Sequence, residues 1–262
     1  SDVYKRQVCT AFGTAGTGGF GVKNDSMASY SPYIQNVCTV FMLLFGVNFS
    51  CYYLLIMKQV KSVYKDEELR LYVGMVLGSV LLIVINLRGF YGTFEETVRH
   101  AFFQVASIVT TTGFATTDFD LWPGFSKAIL LCLMVVGACA GSTGGGFKCG
   151  RLLLVFKSLR RNIQKMLRPP RIQAVRSKQV VSEKVLENTN AYLAAYVLII
   201  MFSLLVISID GFSVGTNFSA VLACFNNIGP GLELVGPTCN FSVYSSLAKI
   251  VLIFDMLAGR LE

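Results

Sequence analysis

Residues 93–120 read TFEETVRHAFFQVASIVTTTGFATTDFD, and the reading of this stretch decides the architecture. Thr93–Ser107 has a short helical pattern with Glu95 and Glu96 in its first turn, where carboxylates suit the positive end of a helix dipole. The pattern runs directly into threonines, a glycine and an aromatic residue, Ile108–Asp120. Two other stretches share the design: Asn217–Phe225, NFSAVLACF, runs into NNIGPGLELVG, and Val8–Gly13 runs into TAGTGGFG. An apolar span follows each loop. The chain therefore repeats a unit of helix, short helix, glycine-bearing loop and helix. Complete copies are expected at about Tyr72–Arg161 and Ala191–Glu262, the latter losing its end. A first copy keeps only its loop and final helix, so its missing part is expected upstream of Val8.

Working outward, composition argues against a soluble enzyme. Hydrophobic residues make up 53% of the 262, and charged residues only 15% against roughly a quarter in ordinary globular domains. Long uncharged stretches point to a bilayer. Val37–Met57 is the cleanest candidate span, closed by Lys58, Lys61 and Lys65. Tyr72–Leu87, Ala128–Ala140 and Ala191–Ile209 follow, and Leu247–Leu257 is a fifth apolar run cut by the end of the chain. The first residues, Ser1–Gln7, are polar and carry no signal-peptide pattern.

The net charge of +8 is concentrated between Lys148 and Lys184, flanked by apolar spans on both sides. That placement follows the positive-inside rule for cytoplasmic loops and argues against nucleic acid as a partner. Eight cysteines (9, 38, 51, 132, 139, 149, 224 and 239) include no C-x-x-C pair and read as small buried hydrophobes.

Gly16–Gly21, GTGGFG, also matches the G-x-G-x-x-G dinucleotide fingerprint. That fingerprint requires a preceding strand, a following helix and a carboxylate about twenty residues on. VKNDSMASYSPY follows instead, and the expected acidic region is QNVCTVFM, which has no carboxylate. A dinucleotide-binding membrane oxidoreductase is therefore disfavoured. So is an inert membrane scaffold, which leaves the repeated loops unexplained.

The repeated loops suit a cation. Non-helical backbone at membrane depth is tolerated only where it is buried in protein or lines a watery path. A short helix ending there aims the negative end of its dipole at whatever sits beyond it. Glycine after such a helix permits positive φ, which lets carbonyls line up, and a ring of carbonyls can replace a potassium ion's hydration shell.

TAGTGGFG, TTTGFATTDFDLWP, GACAGSTGGGFK, FNNIGPGL and FDMLAGRLE, in this order from Val8 to Glu262, resemble the TrkH-type subunits of the Trk/Ktr/HKT potassium transporter superfamily. The resemblance implies an all-α membrane protein of M1–pore helix/filter loop–M2 units arranged pseudo-fourfold around a central ion pore. It implies a second-repeat loop and M2 over residues 8–65, a third repeat over 70–161 with an intramembrane loop at 137–148, a basic cytoplasmic linker over 162–188, and a truncated fourth repeat over 189–262. The implied third filter is Thr110, Thr111, Thr112, Gly113 and Phe114; the fourth is Asn226, Asn227, Ile228, Gly229 and Pro230. In the second, Thr17 precedes a key glycine that is Gly18 or Gly19, and alignment on Phe20 selects Gly19. Potassium, the transported ion, is placed at Gly19, Thr112, Gly113, Ile228 and Gly229, and no cofactor is implied.

Gly137–Lys148 resembles a Walker A loop only superficially: Phe147 separates Gly146 from Lys148, and Cys149 replaces Ser/Thr. The family resemblance makes Gly141, Ser142, Thr143, Gly144, Gly145 and Gly146 a gate below the filter, with Arg260 as an electrostatic barrier beside it. Asp255 is a candidate partner for Arg260 or Lys148. Asp118 and Asp120 are candidates for concentrating cations at the outer mouth, and His100 is expected to be packed or hydrogen-bonded. The resemblance further implies a plasma or inner membrane location, a homodimer, and a nucleotide-binding regulatory subunit of the TrkA type docked on Lys157–Lys184, with membrane lipids as surroundings.

Overall fold

The computed structural model describes residues 2–167 and 182–260. Among them the secondary structure is helical, with eleven α-helices and short 3-10 turns. The first unit comprises α1 (Asp2–Ala15), α2 (Pro32–Phe45) and α3 (Phe49–Ile56), and α4 (Val60–Tyr64) links it to the next. The second comprises α5 (Glu67–Asn86), α6 (Phe94–Val109), α7 (Gly124–Val136) and α8 (Cys149–Leu167). The third comprises α9 (Glu183–Ile207), α10 (Val214–Phe225) and α11 (Ser246–Ala258).

Local sequence sets these boundaries. Ser31 caps α2 with Pro32 at its first position, Asp66 Oδ1 accepts from Glu68 N and Leu69 N at the start of α5, and Thr93 Oγ1 accepts from Glu96 N at the start of α6. Ser213 and Ser245 do the same for α10 and α11. Each cap satisfies a donor that the helix itself leaves orphaned, worth about 1 kcal/mol. The short helix α1 begins well before the expected Val8, because the polar residues ahead of it also wind into helix.

The spans depart from expectation in three places. Val37–Met57 is not one helix: α2 and α3 meet at 89° across Gly46, Val47 and Asn48. The apolar run hid the break, since only Gly46 and the helix-capping residue Asn48 mark it. α7 stops at Val136, short of Ala140, where Gly137 takes φ of 72°. Among the described residues, two helices qualify as spans by themselves on length and hydropathy, Glu67–Asn86 and Glu183–Asp210, or up to three if the bent pair counts as one. Of the basic linker, residues 168–181, including Pro169–Pro170, lie outside the described residues.

The buried core is divided among the units. Ile83, Leu87, Leu130 and Met134 pack α5 against α7; Ile207, Val221 and Leu222 join α9 to α10; Met42, Phe103 and Phe114 join α2 to α6 and its loop. Outer faces are apolar and exposed, as at Leu77 and Leu81 on α5 and Leu198, Phe202 and Leu205 on α9. In water such faces would be a liability; in lipid they are the solvated surface. The chain is an all-α, multi-pass membrane protein.

Candidate functional site

The three short helices α1, α6 and α10 end at three loops with the same backbone. In each, a non-glycine residue with positive φ lies two positions before a glycine with positive φ: Thr17 (49°) and Gly19 (65°), Thr111 (57°) and Gly113 (83°), Asn227 (54°) and Gly229 (110°). In each, the residue between them donates its N–H five residues back into the short helix: Gly18 to Gly13 O at 2.9 Å, Thr112 to Ser107 O at 2.9 Å, Ile228 to Ala223 O at 2.8 Å. Equivalence of Gly19, not Gly18, with Gly113 and Gly229 follows from this pattern.

Neighbouring loops interlock. A Cβ added to Gly19 would collide with the Thr112 carbonyl oxygen, and one added to Gly113 would collide with that of Ile228. The same atom of each loop thus abuts the glycine of the next, the arrangement that rotation about a common axis generates. Thr111 and Thr112 are buried, and Thr110 Oγ1 is tied both to Ala106 O at 2.7 Å and to Thr112 Oγ1 at 2.8 Å. Asn226 Nδ2 donates to Tyr196 OH at 3.0 Å and Asn227 Nδ2 to Met256 O at 3.1 Å, which anchors the third loop to α9 and α11. Phe114 is buried against α2 and α6, while Pro230 packs near Gly113.

The glycine segment after α7 crosses directly beneath these loops. Thr143 O accepts from Thr17 Oγ1 at 2.9 Å, and Gly145 N donates to Thr111 Oγ1 at 2.7 Å. A Cβ on Gly144 would lie 3.0 Å from Thr110 O, and one on Gly145 would lie 2.6 Å from Asn226 O. Segment 141–146 therefore touches all three loops, and only glycine admits so close a backbone approach. Ser142 Oγ closes locally onto Cys139 O at 2.7 Å. Lys148 Nζ donates to Gly144 O at 2.7 Å and is buried.

Arg260 reaches the same place from α11, Nη1 donating to Thr143 O at 3.4 Å. It lines a cavity of about 670 Å³ whose wall also includes Thr17, Gly19, Thr112, Gly113, Ile228 and Gly229. Asp255 pairs differently from expectation: its Oδ1 accepts from Ser203 Oγ at 2.7 Å, and Arg260 turns to the Thr143 carbonyl. Ser203 lies on α9, one helix away, so sequence proximity to Arg260 was a poor guide. Asp118 accepts from Asp120 N and Thr238 Oγ1, and Asp120 pairs with Lys127 at 3.5 Å, so both carboxylates also tie loops together. His100 Nδ1 is hydrogen-bonded to Thr116 Oγ1 at 2.9 Å, as a packed pore-helix histidine would be.

Sequence reasoning missed the scaffold that holds the glycine segment. Cys139 N donates to Gly46 O at 3.1 Å and Phe49 N to Gly141 O at 3.1 Å, so the α2–α3 break is stitched to it. Glu68 Oε1 accepts from Ala140 N at 2.6 Å. The only sequence signals were an Asn cap inside an apolar run and the Asp-Glu-Glu start of α5.

Comparison with known proteins gives a consistent result. The profile of a family described as TrkH, cation transport protein, matches residues 5–87 and 92–262. The chain is 35% identical over 257 residues to the Trk system potassium uptake protein TrkH of Salmonella typhimurium, covering 96% of this chain and 53% of that protein. It is 31% identical over 263 residues to the Trk system potassium uptake protein TrkG of Escherichia coli K12, covering 97% and 53%. The crystal structure of the potassium transporter TrkH from Vibrio parahaemolyticus superposes with a TM-score of 0.88 at 30% identity, covering 97% of this chain and 56% of that one. The chain spans about half the length of the relatives it matches.

Proposed function

The chain belongs to the TrkH family of cation transport proteins, and on that premise we propose that it builds most of a potassium-conducting pore in a plasma or inner membrane. The observation that carries this reading is the threefold recurrence of one backbone, Thr17–Gly19, Thr111–Gly113 and Asn227–Gly229, with each loop abutting the next. Three short helices point their C-terminal ends at these loops, adding negative potential where a cation sheds water. Carbonyls of Gly19, Thr112, Gly113, Ile228 and Gly229, with neighbours Gly18, Thr111 and Asn227, coordinate potassium in place of its hydration shell. A fourth loop of the same kind completes the ring beside Gly229, where an added Cβ meets nothing within 4 Å.

Below the filter, residues 141–146 obstruct the path, and the Arg260 guanidinium raises the barrier to cations. Hydrogen bonds hold the obstruction in place: Thr17 Oγ1 and Arg260 donate to Thr143 O, Lys148 to Gly144 O, Phe49 N to Gly141 O, and Gly145 N donates to Thr111 Oγ1. The neutral bonds contribute only about 1 kcal/mol each and those with a charged donor about 1.5–3 kcal/mol, a total that a docked regulator can offset. We take that regulator to be a nucleotide-binding subunit of the TrkA type on the basic cytoplasmic segment, and the transporter to be a homodimer embedded in lipid. The support is the concentration of Lys and Arg over 148–184 and the family resemblance.

Potassium uptake by the full-length protein in a transport-deficient cell tests the reading. Growth at low potassium is expected; a well-inserted protein that does not support it would favour the inert scaffold. Arg260→Ala is expected to raise potassium flux several-fold, and an unaltered rate would assign Arg260 to the helix end as a solvated charge.

A further inference from the structure

Within the gate reading, and resting on it, one carboxylate bonds one end of the glycine segment and abuts the other. Glu68 stands in the first turn of α5, partly buried, and its Oε1 accepts from Ala140 N at 2.6 Å, just ahead of Gly141. Gly150, in the first turn of α8, lies against the same carboxylate. A Cβ on Gly150 would lie 2.9 Å from Glu68 Oε1. Everything between Ala140 and Gly150 is the obstructing segment and its return to helix.

We propose that Glu68 is the positioning residue that latches the start of segment 141–146 to α5 in the obstructing place, with α8 packed against the latch. Hydrogen bonds from backbone N–H groups to a carboxylate are charge-assisted and stronger than neutral ones. The Ala140–Glu68 bond therefore outweighs the neutral bonds to Thr17 and Thr111, and a shift of α8 at Gly150 would displace the carboxylate that makes it. The neighbouring Glu67–Lys157 pair ties α8 to the same end of α5 two turns further along and keeps that helix in line. Asn48 adds the third arm: it caps α3 by accepting from Ser50 N at 2.9 Å, and its amide faces Gly141. The bent span, the segment and α8 thus meet beside Glu68.

The test uses the full-length protein in proteoliposomes, measuring potassium flux and the potassium-to-sodium permeability ratio for Glu68→Gln, Gly150→Ala and Arg260→Ala. Glu68→Gln removes the charge with little change of shape. Gly150→Ala pushes the carboxylate aside without touching the segment, and it keeps the question answerable if Glu68→Gln fails to insert. Each is expected to raise flux about tenfold, the weight of a lost charge-assisted bond on a closed state, with the permeability ratio unchanged. Damage to the fold would lower flux, so a rise marks a released gate. Unaltered or lower flux in both, with Arg260→Ala still raising it, overturns the latch and leaves the gate standing. No rise in any of the three overturns the gate on which the latch rests.

Discussion

Gly19 and Gly18 are adjacent and chemically identical, yet the backbone gives them different tasks. Gly19 has φ of 65° and lies against the Thr112 carbonyl, whereas a Cβ on Gly18 would meet only the Phe20 ring, at 3.4 Å. Gly19→Ala is therefore expected to reduce potassium uptake far more than Gly18→Ala, measured as growth of a transport-deficient cell; equal losses would remove the distinction. Sequence alone carried this choice as far as the alignment on Phe20, because a carbonyl's proximity to a glycine leaves no mark in composition. At the outer loop, Ser213 and Thr216 hydroxyls donate to Glu233 and hold its carboxyl below the usual carboxylate range. A carboxyl with a lowered folded value contributes stability above its unfolded value and loses it as pH falls through the folded one. The wild type is thus expected to lose more thermal stability than Glu233→Gln on going from neutral pH to below the ordinary carboxylate range, and parallel losses would show that the tie contributes nothing.

Among the elements, the bend between α2 and α3 is the clearest case of tertiary structure overriding an apolar run. A Cβ on Gly46 would lie 2.5 Å from Tyr72 Oη and 2.8 Å from Thr110 Cγ2, so this glycine lets α2 pass both α5 and the filter threonines. Gly46→Ala is expected to cost about 1–3 kcal/mol by overpacking, seen as a lower melting temperature in detergent. Adding Tyr72→Phe removes the nearest atom and should recover part of the loss; a strictly additive further loss would refute the contact. The start of α6 was legible, because Glu95 and Glu96 mark its first turn by their own chemistry. The break was not, since one glycine in a membrane helix also serves simple close packing. Asp255 illustrates the same limit: its hydroxyl donor comes from Ser203, fifty-two positions away.

At the scale of the whole molecule, three recurrences of one loop are what turned isolated glycines into an architecture. Composition and motif order made the membrane spans and repeats visible, and the family resemblance carried by those motifs implied the all-α pore fold. How the loops meet was not visible, because the contacts of Gly19 with Thr112 and of Gly113 with Ile228 join residues of different repeats. The central claim is that these loops form a cation filter, with Gly113 at a position that tolerates no side chain. The most direct test is the potassium-to-sodium permeability ratio of the full-length protein, from reversal potentials in a planar bilayer, before and after Gly113→Ser. The ratio is predicted to fall toward unity, as the new side chain displaces the Ile228 carbonyl. A variant that conducts with an unchanged ratio would contradict the assignment.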